Sequence, residues 1–587
     1  MSLYLFFAGV LLFCVLQFAY GSHFCLAIFF VPLLWSSLLL DKTSVKYRYV
    51  YFAFFIFWFV SIFWISAPHI LAIFGLLILS GYLSLFGLFF FISARLAARI
   101  LGFPLMVSAP LCWVGCEFLR NRLLGGFSFC SIEHLLFSEP LLIQVADIGG
   151  GYFVGGMIMS VGTGAGTILF MYILPKYFPQ LCQNLILTNS DVLNNVTKNT
   201  SSDAESNLVT AYKPYPKYRK RFFVTIISTI LLLTATIFYG YLTINLNCNP
   251  FGGVLGVDAG GGLKLNIAAL QGNAPVSITM TRQELSDCLK QYIDLTYDAA
   301  RDNNSGLDLI IWPETVCPIP YVVFQNEATY ESQGWDRQQF DYGNKMLLNL
   351  SKEVKSPILY GISTTVVDNN RNKKSAADFL RLNSALLVTP NPSAFVARYD
   401  KIQLVMFGEY VPFADYLPEN FPLRSICQEA GRGEFTVAMP VVDGVFAAVN
   451  ICFESSVPHH VRGQILSLKK SGQEPALLIN ISNSGWFGFA NQIDQHLATH
   501  IFRAVENRRP YVSATNGGFS TTINSYGQIK KIGKRKSAEP VIDQLEIKYW
   551  TPLYHYVGDI PAIICTIIMI FSVIVIVYKL RIAKNNV

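Results

Sequence analysis

Apolar residues crowd the first third of the chain in long uncharged runs, at 3–18, 24–40, 49–66, 70–91, 103–118 and 152–174. Two more runs, 222–242 and 561–578, flank a long stretch of ordinary mixed polarity. Most approach the roughly 20 apolar residues that a helix needs to cross a bilayer, although the first and fifth are short. The pattern predicts a multi-pass α-helical membrane domain of about eight spans. The first run has no basic residues before it and no small-residue cleavage site, and a second run follows at once. It is therefore expected to be a retained span rather than a signal peptide.

The pattern changes between the last two runs. Short apolar segments such as "LNIAALQ", "LDLIIWPE", "PILYGIST", "NSALLVTP", "VFAAVNIC", "ALLINISN" and "YVSATN" alternate with polar segments. Residues 281–302 and 493–509 have helical spacing. Continuous apolar strands separated by helices predict an α/β domain whose strands are covered on both faces. The expected division is 1–174 as a membrane domain of six spans, 175–221 as a cytoplasmic loop and 222–248 as a seventh span. Residues 249–559 then form the α/β domain, and 560–587 the eighth span and a cytoplasmic tail. The loop is polar and aromatic-poor, as flexible insertions are.

Charge fixes an expected orientation. The chain of 587 residues is 52% hydrophobic and 14% charged, with a net charge of +7. Basic residues gather in alternate loops, at Lys42, Lys46 and Arg48, at Arg95 and Arg99, and through 175–221. Lys579, Arg581 and Lys584 follow the last run. Positive charge marks the cytoplasmic side, so the 249–559 domain is expected outside the cytoplasm. The excess charge is thus topogenic and gives no case for nucleic-acid binding. Glu117 and Arg120, at the end of the fifth run, are expected to reach for the membrane interface. No C-x-x-C pair occurs among the 12 cysteines, and no metal or cofactor is expected.

Three strand exits carry chemistry. "LIIWPE" ends on Glu314, "ARYDKIQLVMFGEYVPF" holds Lys401 and Glu409, and "VNICFES" ends its apolar run at Cys452. A cysteine in such a place is commonly a small core residue. Taken alone, Glu314 reads as a turn cap and Lys401 as a solvated loop partner of Asp400. Together they make a sufficient set for acyl transfer, with a carboxylate base, an ammonium that stabilises thiolate and oxyanion, and a thiol nucleophile.

These segments resemble the carbon–nitrogen hydrolase (nitrilase) superfamily and, more specifically, the apolipoprotein N-acyltransferase family. "LQGNAP" at 270–275 and "NISNSGWFGFANQIDQHLATHIFRAVENRRPYVSATNGGFSTTI" at 480–523 extend the likeness over most of 264–523. The resemblance implies a nitrilase-like αββα sandwich, with Glu314, Lys401 and Cys452 as catalytic triad and Glu409, Phe453 and Glu454 in support. Glu454 is expected to support the site rather than react. Departures occur at Met406 (usually proline), at Phe453 (usually tyrosine) and at Met280, near the place of a functional tryptophan. The implied substrates are a phospholipid acyl donor and a diacylated apolipoprotein acceptor, and the implied location is the bacterial inner membrane with the catalytic domain in the periplasm. A membrane-tethered amidase or nitrilase is the alternative, and a binding module with a vestigial triad is a third reading. The first needs only one span, and the second does not need all of Glu314, Lys401, Glu409 and Cys452.

Overall fold

The computed structural model describes residues 2–20, 23–40, 46–177, 216–245, 262–277, 280–301, 306–324, 337–367, 379–412, 416, 418, 427, 430–488 and 490–585. Most of the expected loop 175–221 and Cys248 lie outside these residues.

Each expected apolar run is helical. The helices are α1 (Ser2–Leu16), α2 (Phe30–Leu40), α3 (Tyr47–Ser61), α4 (Ala72–Ile100), α5 (Leu105–Arg120), α6 (Gly151–Ile168) and α7 (Pro216–Asn245). By length and composition, Ala72–Ile100, Gly151–Ile173 and Arg221–Asn245 suffice to cross a membrane. Ser2–Leu16, Cys25–Leu40, Tyr47–Ser61 and Ile560–Val575 are shorter apolar helices. The bundle closes around Trp35, whose ring meets Phe13, Phe54, Phe90, Phe91 and Trp113 at centroid distances of 5.6–6.1 Å. Such edge-on aromatic packing fills volume that aliphatic side chains alone would leave open.

Glu117 and Arg120 do not reach for the interface. Arg120 is 1% exposed and pairs with Glu117. Nη1 donates to Phe129 O at 2.9 Å and Nη2 also to Ser131 Oγ at 2.7 Å, and the guanidinium lies over the Trp58 ring. A buried guanidinium needs this many partners to offset its lost hydration. The pair therefore pins segment 128–131 to α5.

The mixed-polarity region folds into two sheets. The first orders β13-β1-β2-β4-β5-β6, with β3 paired to β4. Its strands are β1 (Lys264–Gln271), β2 (Leu309–Ile311), β3 (Cys317–Phe324), β4 (Ile358–Val367), β5 (Phe379–Pro390), β6 (Ser393–Asp400) and β13 (Glu539–Glu546). The second sheet orders β12-β11-β10-β9-β8-β7. It comprises β7 (Ala438–Val442), β8 (Val445–Ile451), β9 (Pro475–Asn483), β10 (Tyr511–Asn516), β11 (Thr521–Ile523) and β12 (Ile529–Ile532). Parallel pairing runs through the centres, β1/β2/β4 and β8/β9/β10, where the apolar runs are continuous.

The sheets face each other across a core that includes Ile267, Ile311, Leu359, Val449, Ile479 and Val512. Helices α8 (Arg282–Arg301) and α9 (Arg337–Val354) cover the first sheet through a separate cluster around Tyr292, Trp312 and Tyr360. On the second sheet's outer face lie α10 (Pro458–Lys470) and α11 (Ala490–Asn507), followed along the chain by α12 (Ile560–Asn585). The cluster on that face, with Ile465, Ile501 and Val505, is continuous with the cluster of the membrane helices. The αββα layering expected from the resemblance is present, and one of its helical layers rests directly on the helical bundle.

Candidate active site

β2 ends at Ile311, three residues before Glu314, which Trp312 and Pro313 carry out of the sheet. The neighbouring strand must let this turn pass. Gly361 does so, because a Cβ there would stand 1.9 Å from Pro313 O. Glu314 is 6% exposed, and both sheets hold it. Asn383 Nδ2 of β5 donates to its Oε1 at 2.7 Å, while the backbone N–H of Asn483, at the end of β9, donates to Oε2 at 3.0 Å. The following residue, Thr315, has φ +49°.

Lys401 directly follows β6 and is 1% exposed. Its backbone N–H donates to Asn383 O at 2.8 Å, so one asparagine positions both Glu314 and Lys401. Nζ donates to Glu409 Oε1 at 2.8 Å and to Glu314 Oε1 at 3.4 Å. Burial alone would lower this lysine's pKa, but the charges of Glu409 and Glu314 outweigh it and hold the ammonium above the usual range. Glu409 Oε2 accepts from Val405 N at 2.8 Å, which fixes the carboxylate that orients Lys401.

Cys452 opens a short 3-10 turn, Cys452–Ser456, immediately after β8. Its φ is +52°, a left-handed conformation that costs a non-glycine residue about 1–3 kcal/mol. Three side chains hold this turn through the Cys452 carbonyl oxygen: Asn480 Nδ2 at 3.1 Å, Ser455 Oγ at 3.1 Å and His496 Nε2 at 3.2 Å. Burial pushes the Cys452 thiol up, and the Glu314 charge adds to the effect while Lys401 opposes it. The thiol therefore rests protonated, beside a carboxylate that can take its proton. His496 is pushed down to about 4 by burial, so it is a neutral imidazole at pH 7.

Glu454 and Phe453 part company in this turn rather than by strand alternation. Phe453 turns toward Phe129 of the membrane-proximal segment, at a centroid distance of 6.1 Å. Glu454 is 0% exposed, with Oε1 accepting from Tyr399 OH at 2.8 Å, Ile402 N at 2.6 Å and Gln403 N at 2.9 Å. Oε2 accepts from Ile451 N at 2.7 Å. This carboxylate staples the Lys401 loop to the Cys452 turn, and all its described contacts are with donors inside the protein.

The structure thus brings Glu314, Lys401, Cys452, Glu409 and Glu454 together, from the three stretches that follow β2, β6 and β8. Met406 lies in the adjoining loop, whose Tyr410 hydroxyl approaches Gly125 of the membrane-proximal segment. Sequence reasoning missed Asn383, Asn480, Asn483 and Tyr399. An asparagine within a largely apolar strand was the available signal for the first three. Cys288 and Cys317 are buried, unbridged thiols away from this cluster.

Two facing sheets with acidic, basic and thiol side chains at their strand exits define a carbon–nitrogen hydrolase domain, here carried on apolar membrane helices. Residues 266–550 match the carbon–nitrogen hydrolase family, and residues 8–164 match the apolipoprotein N-acyltransferase N-terminal domain. Apolipoprotein N-acyltransferase of Geobacter metallireducens is 28% identical over 464 residues, covering 79% of this chain and 73% of the relative. The Rhodopirellula baltica protein of that name is 25% identical over 571 residues, covering 91% and 89%. Apolipoprotein N-acyltransferase 1 of Treponema denticola is 24% identical over 577 residues, covering 94% and 91%. The chain belongs to the apolipoprotein N-acyltransferase family and is a membrane-borne acyltransferase.

Proposed function

We propose that this protein moves a fatty acyl chain from a phospholipid to the N-terminal amine of S-diacylglyceryl-cysteine apolipoproteins, through a thioester on Cys452. In the first half-reaction Glu314 takes the thiol proton as sulfur attacks the sn-1 ester carbonyl. Lys401 Nζ and a backbone N–H of the Cys452 turn stabilise the oxyanion. Collapse breaks the ester C–O bond, the leaving glycerol oxygen receives the proton from Glu314, and lysophospholipid departs. In the second half the acceptor's neutral α-amine attacks the thioester and gives its proton to Glu314. The amide forms, and the thiolate is reprotonated.

The observation that carries this reading is Lys401 Nζ, which bonds Glu314 and Glu409 while its charge acts on the Cys452 thiol. The match of residues 8–164 to the acyltransferase's own N-terminal domain supports transfer rather than hydrolysis. We also place the protein in the bacterial inner membrane with about eight spans and the 249–559 domain in the periplasm. The support for this is the basic residues gathered in alternate loops.

The test is the mass of Cys452 after exposure to phospholipid without acceptor. One acyl chain should be added, and it should leave when a diacylglyceryl peptide is supplied. An unmodified Cys452 in active protein would overturn the proposal.

A further inference from the structure

Two lipids must visit one cysteine in turn. In the proposed reaction both present two acyl chains on a glycerol unit, so the chains cannot tell them apart. The difference lies at the third carbon, where the donor carries a phosphodiester and the acceptor a thioether-linked cysteine. Discrimination needs a group that answers the phosphodiester's negative charge beside the catalytic loop.

Arg432 is placed for this. The backbone on both sides of it is stitched to the site, with Gly431 N donating to Arg381 O at 2.6 Å and Gly433 N to Lys401 O at 2.7 Å. A Cβ on Gly433 would stand 2.1 Å from Asp400 O, so the chain passes here only because that residue is glycine. Arg432 Nε donates to Ile402 O at 2.8 Å, next to Lys401, and this orients the guanidinium over the catalytic loop. The residue is exposed, and among the described residues no carboxylate pairs with it. Its charge reaches Tyr410 on one side and His460 on the other. Tyr410 touches Gly125, so this corner lies at the seam between the catalytic domain and the membrane helices. Leu123 and Leu124, each 49% exposed, give the same corner an apolar lower edge. Among the described residues neither terminal nitrogen of Arg432 has a hydrogen-bond partner, and a guanidinium fork matches two phosphate oxygens.

We propose that Arg432 forms a phosphodiester subsite that seats the head group of the phospholipid donor during thioester formation and is not used by the acceptor. The proposal rests on the acyl-transfer reading above and extends it to recognition of the donor.

The experiment measures thioacylation of Cys452 by mass in the full-length protein in detergent micelles. Two donors are compared: a phosphatidylglycerol, and a p-nitrophenyl ester of the same fatty acid, which has no phosphate. Arg432→Gln should lower kcat/KM for the phospholipid by roughly 10–100-fold, the range of one lost hydrogen bond to a charged group. The aryl ester should react as in the wild type, and Arg432→Lys should recover part of the phospholipid rate. Transfer from preformed thioester to a diacylglyceryl peptide should not change. Equal losses with both donors would show that Arg432 merely shapes the loop, and would overturn the proposal. So would an unchanged phospholipid rate, or a loss confined to transfer. Millimolar inorganic phosphate should compete weakly. If it inhibits wild type but not Arg432→Gln at the strength of phospholipid itself, the site takes free anions and the lipid assignment falls. A wild type that forms no thioester from either donor would sink the acyl-transfer reading, and this proposal with it.

Discussion

Cys452, Glu314 and Lys401 are each ordinary in isolation, and the triad proposed above draws its reactivity from how their neighbours hold them. Cys452→Ala should form no thioester, and Cys452→Ser nearly none, because Glu314 is far too weak a base for a serine hydroxyl. Glu314→Gln should slow both half-reactions by roughly 10²–10⁴-fold, the usual loss for a general base. Lys401→Ala should cost about 10²–10³-fold. Double variants should lose much less than the product of these factors, since the groups act as a unit. Single-turnover acylation and transfer assays separate the steps, and an unchanged Lys401→Ala enzyme would remove the lysine from the mechanism. Glu454→Gln tests a different role. Both carboxylate oxygens accept backbone N–H groups, so an amide nitrogen would face a donor in either orientation. An unsatisfied buried pair costs about 1–3 kcal/mol, so a lowered melting temperature should accompany lost activity. Full stability with lost activity would instead mark Glu454 as a reacting group.

At the scale of the element, the Cys452 turn is a strained conformation held by its surroundings. Asn480 comes from β9, His496 from α11 and Ser455 from the turn itself, and all three meet one carbonyl oxygen. Burial holds His496 in its neutral form there, although its bond to the Cys452 carbonyl oxygen opposes this. Its folded pKa is about 4, against an ordinary 6.5, and His459 is likewise held at about 4 by burial. Between these values the unfolded chain binds more protons than the folded one. Stability contributed by the buried imidazoles is therefore complete above pH 6.5 and is lost as pH falls toward 4. Melting curves in detergent should show this decline, and His496→Gln, whose amide nitrogen replaces Nε2, should flatten it while retaining activity. A pH-independent melting temperature across that interval would show that His496 is not buried in the neutral form.

The whole molecule joins a sandwich to a bundle through a shared apolar cluster, with polar fastenings at the seam. Ser128 Oγ donates to Ser456 O at 2.5 Å, Trp64 Nε1 to Gln495 Oε1 at 3.2 Å, and Arg508 Nη2 to Asp147 Oδ2 at 2.7 Å. The Cys452 turn, α11 and the loops that join the apolar helices are thus one packed unit, and in the proposed reaction this keeps the sulfur beside the lipid substrates. If the orientation proposed above is right, tags at both termini should be cytoplasmic. Protease added to spheroplasts should then cut within 249–559 and spare both tags. Protection of that domain would reverse the topology.

Hydrophobic periodicity alone determined where helices and central strands would form, because apolar runs of these lengths have few ways to be buried. It also placed Glu314, Lys401 and Cys452 at or near strand exits, while their assignment as a triad came from the resemblance to the family. The sequence did not show β3 or β7, whose apolar runs are broken by Pro318, Pro320 and Pro440, residues that read as strand breakers, nor the short edge strand β12, whose core is two lysines. Nor could it show that Glu117 and Arg120 turn inward. A charged side chain near a span end can be hydrated or paired, and only the partners Ser131, Phe129 and Trp58, distant along the chain or across a loop, decide for burial. The same holds for Asn383, Asn480, Asn483 and His496. An amide or imidazole in an apolar strand or helix announces that something must satisfy it, but the identity of the partner is a fact of three-dimensional proximity, fixed by how two sheets and a helical layer meet.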